Sequence, residues 1–287
     1  MTYPDWGRRP SLDRPGTLSL DDCEVRYWDS GGTGMPVVFC HGAGTDHTTF
    51  SAQTEDLATR GYRVVTWDMR GHGLSRPGGR FTTERAIGDL LALLTHLGLV
   101  GPVLVGHSLG GNIGQAVIRR DPRRARALVA MDCTWNAGPL SRFERWLLAV
   151  AAPGVRVIPR RRLPTVMARV SASTEAGRAY ARRAFARLSK EEFIEVMEAT
   201  IRFLDPAPAY RTPVPLCLIR GAADRTGNIA TAMPRWAHAE AVREIVVPGA
   251  GHLVSLDAPA AVTEAIAAFL AGVPGLSTNI RWSAQPR

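Results

Sequence analysis

The chain has 287 residues, 45% of them hydrophobic and 21% charged, an ordinary globular composition with length enough for one large core. Its formal net charge is +9 and Lys190 is its only lysine, so the positive charge is almost all arginine. Apolar runs are short and broken by Gly, Pro or charge, which excludes a membrane-spanning segment, and Cys23, Cys40, Cys133 and Cys217 form no C-x-x-C pair, which argues for buried free thiols rather than a metal or disulfide framework.

Residues 1–16 are polar and Pro-rich, an irregular leader without the apolar stretch of a secretory signal, so a cytoplasmic location is the expectation. Residues 18–20 and 24–28 read as a strand pair turned at Asp21-Asp22. The continuous apolar run 36–40 reads as a strand buried on both faces, and it ends in His41-Gly42-Ala43-Gly44. A helix over 48–59 follows, with Asp46 placed to cap it. The next strand, 62–67, closes with Asp68-Met69-Arg70-Gly71-His72-Gly73-Leu74-Ser75, and 83–97 has helical period.

Residues 102–105 are a short apolar run leading into Gly106-His107-Ser108-Leu109-Gly110-Gly111, and 112–120 reads as a helix. Strand, Gly-x-Ser-x-Gly and helix in that order specify a sharp turn that lifts the Ser108 hydroxyl clear of the backbone. Gly106 and Gly110 suit it because a Cβ at either place would collide in so tight a bend. The remaining strands are read at 126–131, 216–219 and 245–247, ending at Asp132, at Gly221-Ala222-Ala223-Asp224 and at Gly249-Ala250-Gly251-His252. Helices are expected over 230–239 and 259–270, and 272–287 reads as a tail.

Strands alternating with helices imply a mostly parallel sheet with helices on both faces. One interval breaks the alternation. Between Asp132 and Pro213 only helical stretches are legible, at 141–151, 174–188 and 191–204, with 153–164 as a Pro/Arg-rich connector. The chain thus divides into a first core part (1–133), a helical insertion (134–205), a second core part (206–271) and the tail. Arginines cluster at Arg119, Arg120, Arg123, Arg124 and Arg126, and again at Arg156 and 160–162. Such clusters attract acidic substrates, nucleic acid or anionic surfaces, or are solvated faces in an arginine-biased chain. No nucleic-acid module accompanies them, so they read as solvated faces, with neither nucleic acid nor a membrane expected as partner.

In an open α/β sheet the reactive groups gather past the carboxyl ends of the strands. Here those groups are His41, Asp68, Ser108, Asp132, Asp224 and His252. A serine needs a base to take its proton, the base needs a carboxylate to fix its tautomer, and the developing oxyanion needs fixed donors. From about Leu18 to Leu270 the chain resembles the α/β-hydrolase family, on four ordered motifs: His41-Gly42 after a strand, Asp68-x-Arg70-Gly71-His72-Gly73-x-Ser75, Gly106-x-Ser108-x-Gly110, and Asp224 followed by His252. The resemblance implies an α/β-hydrolase fold with a helical cap. It also implies Ser108 as nucleophile, His252 as base, Asp224 as acid, and the backbone N–H groups of Leu109 and Ala43 (or Gly44) as oxyanion hole. Asp132 is the rival acid, since some relatives take theirs from that strand end. Serine at the elbow disfavours carbon–halogen and epoxide opening, which use aspartate there.

The insertion is similar to the family's cap, so it is expected to shape a pocket over the nucleophile. His47 and Trp135 are candidate pocket residues, and Phe143, Trp146 and Leu147 line the pocket or form the core of the cap. The expected partner is a small-molecule substrate, with no cofactor and no metal. The expected reaction is hydrolysis of a carboxylic ester, lactone or thioester of a small, mostly apolar substrate through an acyl-enzyme. The alternatives are haloperoxidase or perhydrolase chemistry without a cofactor, carbon–carbon bond hydrolysis, biosynthetic acyl transfer or cyclisation, and a non-enzymatic ligand sensor.

Overall fold

The computed structural model describes Leu12 and residues 15–273, so nearly all of the expected leader and tail lie outside the described residues. Strands β1 (Gly16–Leu20) and β2 (Cys23–Asp29) form a hairpin, and Gly16 already pairs with Tyr27, so the leader ends earlier than expected. Six further strands complete one sheet: β3 (Pro36–Cys40), β4 (Arg63–Trp67), β5 (Val103–His107), β6 (Ala127–Met131), β7 (Leu216–Gly221) and β8 (Glu244–Val247). The strand order is β1-β2-β4-β3-β5-β6-β7-β8, antiparallel only where β1 meets β2 and β2 meets β4.

Period-two alternation divides the central strands between two cores. Val37, Phe39, Val103, Val105, Val129 and Ile219 point to one face, where Leu57 of α1 (Ser51–Thr59) covers them. On the other face Val38, Leu104, Leu128 and Leu218 meet α2 (Thr83–His96) and α3 (Leu109–Arg120). Such strands are apolar throughout because water reaches neither face. From β3 the chain crosses to β4 on one side and returns to β5 on the other. The carboxyl ends of β3 and β5 therefore flank the point where strand order reverses, which is where open sheets hold ligands.

Between β6 and β7 stand four helices: α4 (Arg142–Val157), α5 (Leu163–Ser171), α6 (Glu175–Phe185) and α7 (Lys190–Ile201). The Ser189/Glu192 capping box forms as the sequence suggests. The segment read as a connector is more helical than expected. Helix α4 runs to Val157, and α5 starts with Pro164 in its first turn, where a missing N–H costs nothing. Phe143 and Trp146 correct a second expectation. They line no pocket and join no core, being 65% and 58% exposed with their rings stacked 5.9 Å apart. The Leu147 side chain lies outside the described residues.

After β7 come α8 (Ile229–Glu240), then β8, a single turn α9 (Val254–Asp257) and α10 (Pro259–Gly272), whose Val262, Ile266 and Leu270 complete the α1 face. The four cysteines are buried and free, as expected. Among the described residues no helix is long and apolar enough to cross a membrane, and no group of His, Cys, Asp or Glu is arranged to hold a metal.

Candidate active site

Ser108 sits between β5 and α3 with φ 51° and ψ −116°, a conformation that costs about 1–3 kcal/mol for a residue with a side chain. The glycines around it are required by contact. A Cβ on Gly106 would lie 2.5 Å from the Gly110 backbone, and one on Gly110 would overlap the Cys40 carbonyl. Helix α3 begins at Leu109, three residues earlier than the sequence suggests, so its first free N–H groups stand beside the serine. Ser108 is partly exposed while its immediate neighbours are buried.

The loop after β3 lies against this turn. A Cβ on Gly42 would be 3.3 Å from Ser108 Cβ and 2.7 Å from His107 Nδ1. His41 is buried with both nitrogens used: Nδ1–H donates to the Gly42 carbonyl (2.8 Å), and Nε2 accepts the Met69 N–H (2.9 Å). Burial keeps it neutral, which suits this single tautomer. Among the described residues no protein acceptor takes the N–H of Ala43, Gly44 or Leu109. The loop is braced from behind by Asp68, whose carboxylate accepts the His47 N–H (2.8 Å), His47 Nδ1–H (2.8 Å) and the Leu74 N–H (2.7 Å). The Asp-x-Arg-Gly-His-Gly-x-Ser motif thereby acquires a physical reason. Its Arg70 pairs with Asp89 at 2.6 and 2.7 Å, and Ser75 Oγ donates to the Asp68 carbonyl (2.6 Å).

His252 lies in the loop between β8 and α9, and its Nδ1–H donates to Asp224 Oδ2 at 3.0 Å. Asp224 Oδ1 accepts the Thr226 N–H (2.7 Å). Burial works to raise the Asp224 pKa, but the charge and hydrogen bond of His252 and the Thr226 bond outweigh it and hold it at about 2. His107, next to the serine, turns away from it: Nε2–H donates to the His252 carbonyl (2.7 Å), with the two rings 4.8 Å apart. This bond ties the histidine loop to the serine turn.

Asp132 is fully buried at φ 40°, and its Oδ1 accepts the Gly221 N–H (2.8 Å) while Oδ2 has no partner among the described residues. Burial, and then the charge of Asp224, push its pKa well above the usual carboxylate range, which favours its protonated form, whereas Asp224 is shifted the other way. The structure gives the His252 bond to Asp224. His47 is occupied by Asp68 and stacks on Trp28 with ring centroids 3.4 Å apart. Trp135 is buried parallel to Trp236 at 6.5 Å and lines a small cleft with Gln115, Arg119 and Tyr210.

Contacts with the insertion were not legible in the sequence. The Tyr180 hydroxyl donates to Asp46 Oδ1 (3.0 Å), accepts the Asp46 N–H (3.0 Å) and lies 2.7 Å from Thr49 Oγ1. Phe185 fills the space a Cβ on Gly44 would take. Asp257 accepts the N–H groups of Ser173 (2.7 Å), Thr174 (2.9 Å) and Gly251 (2.8 Å). The insertion is thus fastened both to the loop after β3 and to the loop of His252.

Comparison with known proteins bears on the fold and the family. The sequence profile of the Alpha/beta hydrolase family matches residues 37–265. A non-heme haloperoxidase of Rhodococcus erythropolis is 39% identical over 98 residues, which is 34% of this chain and 35% of that protein. The enol-lactonase from Burkholderia xenovorans LB400 superposes with a TM-score of 0.76 at 23% identity, over 89% of this chain and 100% of that one. A thermophilic esterase from Thermogutta terrifontis superposes with a TM-score of 0.70 at 27% identity, over 91% and 99%. The eight-stranded sheet, the serine turn and the extent of the profile lead to one conclusion: the chain belongs to the alpha/beta hydrolase family.

Proposed function

We propose that the protein is a serine hydrolase of carboxylic esters, lactones or thioesters of a small, mostly apolar substrate. The observation that carries this reading is the His252–Asp224 bond in a loop tied to the strained turn of Ser108. In this reading His252 Nε2 takes the Ser108 proton as Oγ attacks the acyl carbon. Asp224 keeps Nδ1 protonated and stabilises the imidazolium. The oxyanion meets the N–H groups of Leu109 and Ala43, with Gly44 as the alternative donor in the same loop, and the start of α3 adds its dipole. The tetrahedral intermediate collapses, the imidazolium gives its proton to the leaving alcohol or thiol, and water repeats the sequence on the acyl-enzyme.

The 134–205 insertion acts in this reading as a cap that limits the pocket, which its contacts with both active-site loops support. A second reading keeps the acyl-enzyme and replaces water by hydrogen peroxide, which releases a peroxy acid. The similarity of a third of the chain to a non-heme haloperoxidase favours including it. The test is a panel of chromogenic esters of graded acyl length, run with and without peroxide, together with fluorophosphonate labelling of Ser108. Turnover that Ser108→Ala abolishes is expected. Folded protein that shows neither turnover nor labelling refutes the enzyme reading, and turnover retained by Ser108→Ala refutes the nucleophile.

A further inference from the structure

Helix α4 turns three large apolar side chains outward. Its inner face carries Glu144 and Val155, both buried, and the Glu144 carboxylate is held by the Ser141 N–H (2.8 Å) and by Asn228 Nδ2 (3.3 Å). At 100° per residue Phe143, Trp146 and Val157 fall together on the opposite face, and they are 65%, 58% and 82% exposed. A stacked Phe–Trp pair facing water, on a helix already packed by its other side, marks a surface with a partner.

Charge selects the partner. Residues 142–162 contain six arginines and one glutamate, and that glutamate is turned inward. The two arginine clusters, alike in sequence, differ in the structure. In the first, Arg119 pairs with Asp205, Arg120 with Glu84, and Arg123 and Arg124 with Asp121, which leaves Arg126 without an acidic partner among the described residues. In the second, Arg156 pairs with Glu198, but Arg160, Arg161 and Arg162 are exposed and have no acidic partner among the described residues, and neither do Arg142 and Arg145. Two copies of this face would bring like charges together, which argues against self-association. Exposed aromatics flanked by arginine match the boundary between headgroups and acyl chains of an anionic bilayer.

We propose that α4 and the arginines after it are a docking surface for an anionic lipid membrane, with Phe143 and Trp146 entering the headgroup region and Arg160, Arg161 and Arg162 meeting lipid phosphates. The absence of a spanning segment bears on crossing a bilayer and not on resting upon one, so this surface revises the expectation of no membrane partner. The inference does not depend on the proposed chemistry, because binding is read without turnover.

The experiment is vesicle flotation of the whole protein with phosphatidylglycerol/phosphatidylcholine vesicles and with pure phosphatidylcholine, at low and high salt. Binding to the anionic vesicles at least tenfold tighter than to the neutral ones is expected, weakened by salt. The double variant F143A/W146A should lose at least tenfold, and R160Q/R161Q/R162Q should fall to the level seen with neutral lipid. Unchanged circular dichroism and thermal midpoint confirm that both variants fold. Brominated lipids should quench tryptophan fluorescence in the original protein. The proposal is overturned if neither vesicle binds, or if F143A/W146A binds like the original chain. It is equally overturned by a dimer that F143A/W146A disperses, or by single-stranded DNA binding through these residues without vesicle binding.

Discussion

Replacing Asp224 by asparagine distinguishes it from Asp132, the rival acid. The Asp224 carboxylate accepts two N–H groups, His252 Nδ1–H at 3.0 Å and the Thr226 N–H at 2.7 Å. An amide has one acceptor to offer. If it stays on Thr226, its NH2 faces Nδ1 and drives the imidazole proton to Nε2, which in the proposed mechanism then presents a donor to Ser108 where an acceptor is needed. If it turns to His252, two N–H groups collide at Thr226. Loss of the correct tautomer in a Ser-His-Asp system lowers kcat by roughly 10⁴, or about 5.5 kcal/mol in the barrier. Asp132→Asn meets a different situation. Burial favours the protonated form of Asp132, which uses one oxygen, toward the Gly221 N–H, and an amide oxygen retains that bond. Its cost should stay within about tenfold, roughly 1.4 kcal/mol. Steady-state hydrolysis of a short p-nitrophenyl ester by the two variants at pH 8 should therefore differ by about a thousandfold. Equal losses, or an Asp224→Asn variant within tenfold of the original, would show that the hydrogen-bond pattern does not set the acid.

Ser108→Ala should abolish turnover with little change in thermal midpoint, whereas Ser108→Gly should raise stability by a net ~1 kcal/mol, about 2 °C, by relieving the positive φ; calorimetry of both variants checks this. His72 and His107 are buried and neutral, with pKa values held near about 3 by burial first and then by a neighbouring histidine, against 6.5 unfolded. Their folded values are depressed, so their contribution is complete above pH 6.5 and is lost as pH falls toward 3, at about 1.4 kcal/mol per pH unit for each histidine. Urea unfolding at pH 7.5, 6 and 5 should show that slope, and a flat profile would contradict the burial argument. Asp89→Ala leaves Arg70 buried with Asp22 as its remaining acidic partner and should cost about 3 kcal/mol, read from the denaturation midpoint.

Most of the sheet was legible because its strands are short apolar runs closed by glycine or by a charged residue, and period and punctuation agree there. Boundaries moved by a residue or two. The serine turn was legible because the close contacts of Gly106 and Gly110 leave no room for another residue type. What escaped reading involves partners far apart in sequence. His47 meets Asp68 across 21 positions, and Tyr180 meets Asp46 across 134, with no local pattern to announce either contact. The outward apolar face of α4 escaped for the opposite reason. Its helical period is plain, but period does not say which apolar face turns inward, and the buried Glu144 decided it. Nor does sequence distinguish Asp132 from Asp224 electrically; burial and the charge of Asp224 raise the pKa of Asp132, while His252 and Thr226 lower that of Asp224.

Asp257 Oδ2 accepts the N–H groups of both Ser173 and Gly251, the residue before His252, while Oδ1 accepts that of Thr174. In the proposed mechanism pocket and base are therefore mechanically one part. On that reading, widening the pocket by shifting α5 or α6 would tug on His252, so substrate range and turnover would not be tuned independently at this joint. Exchange of the insertion for that of a relative preserves the rate only if the graft keeps two adjacent free N–H groups where Ser173 and Thr174 now stand. Selection for new substrates would then act first on residues remote from this clasp.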